Sequence, residues 1–194
     1  MKTLPLLLAM AACGGTVRYD YDYAKEPDPR TSEYVIGVAD SLAIRVWKNP
    51  DLTTEATVRP DGTITMPLLG DLTADGKTPS QLKHDIATQL AKYVKDEGAV
   101  VTIAVTGVNS YSFTVSGNVE RAGVYTSKKY VTVLEAMQLA GGPNRFGSPK
   151  HMKLFRRVKG GATRVIPINY TAVLEGTQPE ANLALIAGDQ LYVP

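Results

Sequence analysis

The sequence predicts an α+β protein built from two small modules, and three observations carry that prediction. Apolar residues alternate with polar ones over short runs that end at Gly, Pro, Asn or Asp, the pattern of strands with one buried face. Two segments, "TPSQ" at 78–81 and "TVLE" at 132–135, are capping boxes followed by apolar residues at helical spacing. The second half repeats the grammar of the first with different residues, across a boundary near Thr106 to Ser110. With 194 residues, 44% of them hydrophobic, the chain can bury a core in one ordinary domain or in each of two small ones.

The chain opens "MKTLPLLLAMAACGG": one lysine, an apolar run from Leu4 to Ala12, then the sole cysteine and two glycines. Spanning a bilayer takes about twenty apolar residues, whereas this run has the length of a signal-peptide core ending in small residues. "MAAC" at 10–13 resembles the lipobox of bacterial lipoproteins, which implies lipidation at Cys13 once the signal peptide, residues 1–12, is removed. The plainer alternative is an ordinary signal peptide with an incidental cysteine. Gly14 resembles the residue that goes with outer-membrane sorting in such lipoproteins. Residues 13–33 read as an extended tether. Tyr19, Tyr21 and Tyr23 alternate with Asp20 and Asp22, but the acidic residues and the following Pro27 and Pro29 disfavour a strand. A tyrosine strip of this kind also suits addition to a neighbouring subunit or stacking on sugars.

The first module runs over 34–108. In "YVIGVADSLAIRVWKNPDL", Leu42, Ile44 and Val46 alternate with Ala43, Arg45 and Trp47, and Asn49-Pro50-Asp51 ends the strand in a turn. Pro60-Asp61-Gly62 is a second turn, joining Thr57-Val58-Arg59 to Thr63-Ile64-Thr65-Met66 as a hairpin. The helix that follows has Pro79 at its first position and Leu82, Ile86, Leu90 and Tyr93/Val94 on one face, with His84 off that stripe and expected in solvent. After Gly98, Ala99, Val101, Ile103 and Val105 alternate in a strand apolar enough for the inside of a sheet.

The second module, 109–194, begins with a strand carrying Tyr111, Phe113 and Val115 on one face and a short strand from Gly123 to Thr126. Its helix starts at the second capping box and stops at Gly141-Gly142-Pro143. Three strands remain: "HMKLFRR" and "TRVIPI" around a Gly160-Gly161 turn, and "GDQLYVP" at the end.

Chemistry-bearing motifs are scarce. The 21 basic and 19 acidic side chains leave a net charge of +2, too weak a field to argue for nucleic acid. One cysteine and two distant histidines, His84 and His151, form no metal-ligand spacing, and no nucleophile elbow, phosphate loop or dinucleotide fingerprint is present. Acidic residues are scattered, with Asp96-Glu97 beside a glycine, and no pair is set to flank a glycosidic bond. No catalytic residue, metal or cofactor is assigned. The candidate contact residues are Arg45, Trp47 and Lys48 at the non-core face and end of a strand, Asp61 in its turn, and Arg156 and Arg157. The last two belong to a basic run, Lys153, Arg156, Arg157, Lys159 and Arg164, suited to an acidic polysaccharide or a partner's acidic surface. For each the bland alternative is a solvated edge residue or a turn that sets register; for His151 it is packing or solvent. Ten tyrosines against one tryptophan and three phenylalanines suit wet interfaces.

Taken in order, "YVIGVADSLAIRVW", "VRPDGTITMPLLGDL" and "TPSQLKHDIATQLAKY" resemble the polysaccharide export domain of the bacterial outer-membrane polysaccharide export proteins, the Wza-like family. Its G-x-G-D motif stands here as Gly37-Val38-Ala39-Asp40, without the second glycine. "VSGNVERAGVYT", "TVLEAMQLAGGP", "LFRR" and "AGDQLYVP" resemble the SLBB β-grasp domain that follows it. The resemblance implies a small mixed sheet with one helix over 34–108 and a β-grasp domain over 109–194. It further implies a lipid-anchored, periplasmic ring subunit, a homo-oligomer that passes capsule polysaccharide or exopolysaccharide to the outer membrane with no nucleic acid involved. An inner-membrane polysaccharide copolymerase is the expected partner. Full-length relatives carry a second β-grasp domain and a pore-lining helix, so a chain ending at Pro194 is expected to work with a separate outer-membrane β-barrel. A periplasmic SLBB lipoprotein binding an oligosaccharide or small soluble ligand is the competing reading.

Overall fold

The computed structural model describes residues 18–93, 100–158 and 160–194. The expected signal peptide, the lipidation site Cys13, Lys159 and the Asp96-Glu97 pair lie outside the described residues.

The first module is built on β1 (Ser41–Val46), which pairs antiparallel with β2 (Thr54–Thr57) on one side and β5 (Val101–Gly107) on the other. A separate hairpin, β3 (Thr63–Met66) and β4 (Gly70–Thr73), and helix α1 (Pro79–Leu90) complete it. Alternation in β1 sends Leu42, Ile44 and Val46 into one core with Leu82, Ile86 and Leu90 of α1. Each such side chain contributes about 1.5 to 3 kcal/mol on leaving water, which is what steadies a sheet of only three strands. Thr78 and Gln81 form the predicted capping box.

Two details differ from the sequence expectation. The residues around Arg59 and Thr63 share only a turn, with Arg59 N donating to Thr63 O at 2.9 Å; the ladder partner of β3 is β4. The chain folds back instead at Pro67-Leu68, where Leu68 takes φ 69°, and this turn lays β4 against β3. Strand β5, expected inside the sheet, lies at its edge.

The second module is a mixed sheet in the order β7-β6-β10-β8-β9, in keeping with the α+β class expected. Its strands are β6 (Ser112–Gly117), β7 (Gly123–Thr126), β8 (Met152–Arg157), β9 (Thr163–Ile168) and β10 (Gln190–Val193). The last strand of the chain is central, parallel to β6 and antiparallel to β8. Gly117 (φ 87°) ends β6 where a Cβ would run into the Val193 carbonyl, so only glycine lets these strands pair to their ends. Helix α2 (Val133–Leu139) supplies Val133, Ala136 and Met137 to the core, and a short helix not foreseen from sequence, α3 (Tyr170–Leu174), supplies Tyr170 and Val173. Asn169 caps α3 by accepting from Ala172 N at 3.0 Å.

Residues 18–33, expected as an extended tether, are instead seated on the second module in their first half. Tyr23 is 3% exposed in the second core, and its hydroxyl donates to Pro167 O at 2.7 Å. The Tyr19 hydroxyl meets Lys150 O and His151 Nδ1, at 3.1 and 2.9 Å, and Gln178 donates to Tyr19 O. The tyrosine strip is thus engaged by its own chain. Burying the apolar body of Tyr23 with its hydroxyl paired offsets the entropy lost by ordering the segment.

Candidate functional site

Of the candidate contact residues, the structure brings together Arg45, Trp47 and Lys48 and separates the rest. Strand β1 ends as Trp47 N donates to Val100 O at 2.9 Å, and Lys48 then turns the chain in the left-handed region at φ 58°. Asn49 Nδ2 donates back to Trp47 O at 3.0 Å and closes the turn. Arg45, Trp47, Lys48, Asn49, Val100 and Thr102 line an open cleft of about 510 Å³. Trp47 is 68% exposed. Arg45 and Lys48 are exposed too, and no carboxylate lies within ion-pair distance of either among the described residues.

Asp61 faces its own hairpin. Its Oδ1 accepts from Thr63 N and Thr63 Oγ1 at 3.0 and 2.6 Å, and Arg59 bridges it to Asp71. The Thr63 hydroxyl and amide hold its carboxyl below the usual aspartate range.

Arg156 corrects the sequence reading: it is 1% exposed and cannot meet a polymer or a partner. Its Nε and Nη2 donate to Asp189, with Nη2–Oδ2 at 2.7 Å, another bond goes to Ala184 O at 2.8 Å, and Nη1 reaches Glu26 at 3.2 Å. A buried guanidinium needs this saturation because desolvating a charge is costly unless it is paired. Arg164 closes the cluster on Glu26 Oε1 at 2.9 Å. Of the basic run, Lys153 and Arg157 remain as exposed side chains among the described residues without a carboxylate. His84 and His151 are both exposed.

The junction between the modules holds residues that sequence reasoning undervalued. Asp40, fully buried, accepts from Gly37 N, Asn109 N and Ser110 N at 2.9, 2.8 and 2.8 Å, from Ser110 Oγ at 2.9 Å, and from the Tyr34 hydroxyl at 2.6 Å. Burial alone would raise its carboxyl; the Tyr34 hydroxyl and the Gly37, Ser110 and Asn109 amides outweigh it and hold the group below the usual range. One carboxylate therefore fastens the start of the first module to the chain that enters the second. Beside it, Tyr34, Tyr130, Ile36, Val38, Asp75 and Ile186 line a largely apolar cleft of about 520 Å³. The Tyr34 and Tyr130 rings stand 6.5 Å apart. The tyrosine count was the only sequence signal for this cleft.

Ala39, at the position of the missing motif glycine, sits at φ 74° and is exposed. A left-handed conformation costs an L-residue about 1 to 2 kcal/mol. Relief of that strain exceeds the added unfolded-state freedom of glycine, so Ala39→Gly is expected to raise stability by about 0.5 to 1 kcal/mol. Urea denaturation of both proteins measures it, and a less stable variant refutes the strain argument.

Among the described residues no group of three or more His, Cys, Asp or Glu side chains is placed to hold a metal ion, and no helix is long and apolar enough to cross a membrane.

Residues 28–106 match the family described as "Polysaccharide biosynthesis/export protein", and residues 112–167 match the SLBB domain. The chain is 30% identical over 154 residues to the exopolysaccharide production protein ExoF of Rhizobium meliloti (strain 1021), covering 73% of this chain and 33% of that protein. It is 26% identical over 189 residues to the EPS I polysaccharide export outer membrane protein EpsA of Ralstonia nicotianae, covering 84% and 48%. With the capsule polysaccharide export protein BexD of Haemophilus influenzae the identity is 23% over 173 residues, covering 79% and 42%. The chain therefore spans a third to about half the length of these relatives.

Proposed function

This chain belongs to the polysaccharide biosynthesis/export proteins with an SLBB domain, and on that premise we propose that it is a periplasmic ring subunit of an outer-membrane capsule or exopolysaccharide export complex. The observation that carries the reading is the ordered pair of modules, with Asp40 fastening one to the other so that copies meet through a fixed shape. Strands β2, β5, β7 and β9 are left at sheet edges, and Val124 on β7 is 71% exposed, features that suit pairing with further copies. A conduit requires hydrated walls that hold a passing polymer weakly, so its action rests on shape and solvation with no bond made or broken. Lipid at Cys13 anchors the ring to the outer membrane, and an inner-membrane polysaccharide copolymerase delivers the polymer.

A clean deletion of the gene is expected to abolish surface polysaccharide, and native mass measurement of membrane extracts is expected to return a multiple of the 20.9 kDa chain, less the signal peptide and plus lipid at Cys13. Unaltered surface glycan in the deletion strain, or a single-copy protein in native extract, overturns the proposal. The apolar cleft at Tyr34 and Tyr130 favours a second reading, a site for a small soluble ligand. Titration with capsular oligosaccharide against cobalamin-like small molecules separates the two.

A further inference from the structure

Resting on that export reading, we infer that the cleft at the end of β1 is a contact site for anionic sugar residues, with Trp47 as the stacking platform and Arg45 and Lys48 as the cations that select charge. An indole 68% exposed leaves a wide apolar face in water. A pyranose has a matching face of C–H groups whose partial positive charge suits the negative face of the ring, while its hydroxyls stay hydrated. Arg45 and Lys48 flank that platform with their charges unspent. Arg18, Arg30, Arg59, Arg156 and Arg164 each hold a carboxylate of the chain, whereas Arg45 and Lys48, like Arg121, Arg145 and Arg157, hold none among the described residues; what sets these two apart is that they line one cleft with the exposed indole.

The backbone adds a second argument. Lys48 sits at φ 58°, where glycine would be unstrained. Glycine there would remove the ammonium from the cleft rim. Thr102 faces Arg45 across the β1–β5 ladder and gives the wall a hydroxyl. At about 510 Å³ the cleft falls in the size range of small-ligand sites, and its openness to solvent suits a polymer that must move on. An acidic polysaccharide carries both the sugar face and the carboxylate; a neutral glycan would leave the cations unused, and an acidic protein surface would leave the indole face unused.

Trp47 is the only tryptophan in the chain, so emission excited beyond the tyrosine absorption band reports on this cleft alone. The full chain is titrated with an oligogalacturonate and, separately, with a maltooligosaccharide of the same length. The expected result is a saturable change in Trp47 emission with the uronic-acid oligomer only, weakened about tenfold by the Arg45→Ala/Lys48→Ala double variant and reduced as salt is raised. Both replaced side chains are exposed, and circular dichroism checks that the fold is intact. An unchanged emission, an equal response to the neutral oligomer, or a response that tracks protein concentration and not sugar overturns the inference; the last would identify the cleft as a contact between copies. These outcomes are separable from the export reading. If the gene deletion abolishes surface glycan while the titration is flat, the site fails and the export role stands. If surface glycan persists in the deletion strain while the titration is positive, the export role fails and the sugar site stands.

Discussion

Replacing Asp40 with alanine is expected to lower the unfolding free energy by about 3 to 5 kcal/mol and the melting temperature by roughly 10 °C. The carboxylate accepts five hydrogen bonds, three of them from backbone amides of Gly37, Asn109 and Ser110. Alanine leaves those donors facing one another around an empty space, and an unmet buried donor carries its full desolvation cost. Asn109 and Ser110 begin the second module, so the loss acts on the relation between modules as well as on stability. Asp40→Asn keeps the volume and exposes the charge dependence. Because the folded carboxyl lies below its ordinary value of 3.8, its contribution is complete above pH 3.8 and disappears as pH falls through the lower folded value. The stability gap between wild type and Asp40→Asn should therefore be flat from neutral pH down to about 4 and close below it. Thermal melts of the three proteins over that range test both points, and an alanine variant melting within about a degree of wild type removes Asp40 as the fastening.

The second large effect is expected at Arg156. Arg156→Ala leaves Asp189 and Glu26, both buried, without their shared cation, at a cost of about 3 to 5 kcal/mol. Lysine does not rescue it, because the site uses the flat fork of a guanidinium to serve Asp189, Glu26 and Ala184 O together. An apolar pair, Arg156→Met with Asp189→Leu, is expected to recover most of the loss, since no unpaired charge remains at that end of the cluster and Arg164 still serves Glu26. Hydrogen exchange gives a local readout. The Glu26 amide, bonded to Tyr23 O at 3.1 Å, should exchange faster in Arg156→Ala as the N-terminal segment loosens from the second module. If that amide is unaffected while global stability falls, the cluster supports the sheet and does not clamp the segment.

Arg156 marks the limit of what strand periodicity carries. Met152, Leu154 and Arg156 share a parity in β8, and all three are buried. That parity in "HMKLFRR" places Arg156 on the core-facing side, against the exposure that its charge and its basic neighbours suggest. What the sequence did not contain was the pairing that makes burial affordable: Asp189 lies 33 residues away and Glu26 lies 130 away. The Trp47 cleft was partly legible for the converse reason. Arg45 and Trp47 share the non-core parity of β1, and Lys48 follows Trp47 directly, so strand periodicity alone groups them; the walls from Thr102 in β5 and from Val100 just before it come from far along the chain.

Local signals in the chain were enough to determine the α+β class, both capping boxes and the strand faces of β1 and β6, because each depends on neighbours within a few residues and on a period of 2 or 3.6. Tertiary structure alone decided that β10 enters the centre of its sheet, that β3 pairs with β4, that the tyrosine strip lies on the second module and that Asp40 joins the two units. These are choices among partners far apart in sequence, settled by which combination buries the most apolar surface while pairing the buried charges Asp40, Arg156 and Asp189, and no run of adjacent residues encodes that sum.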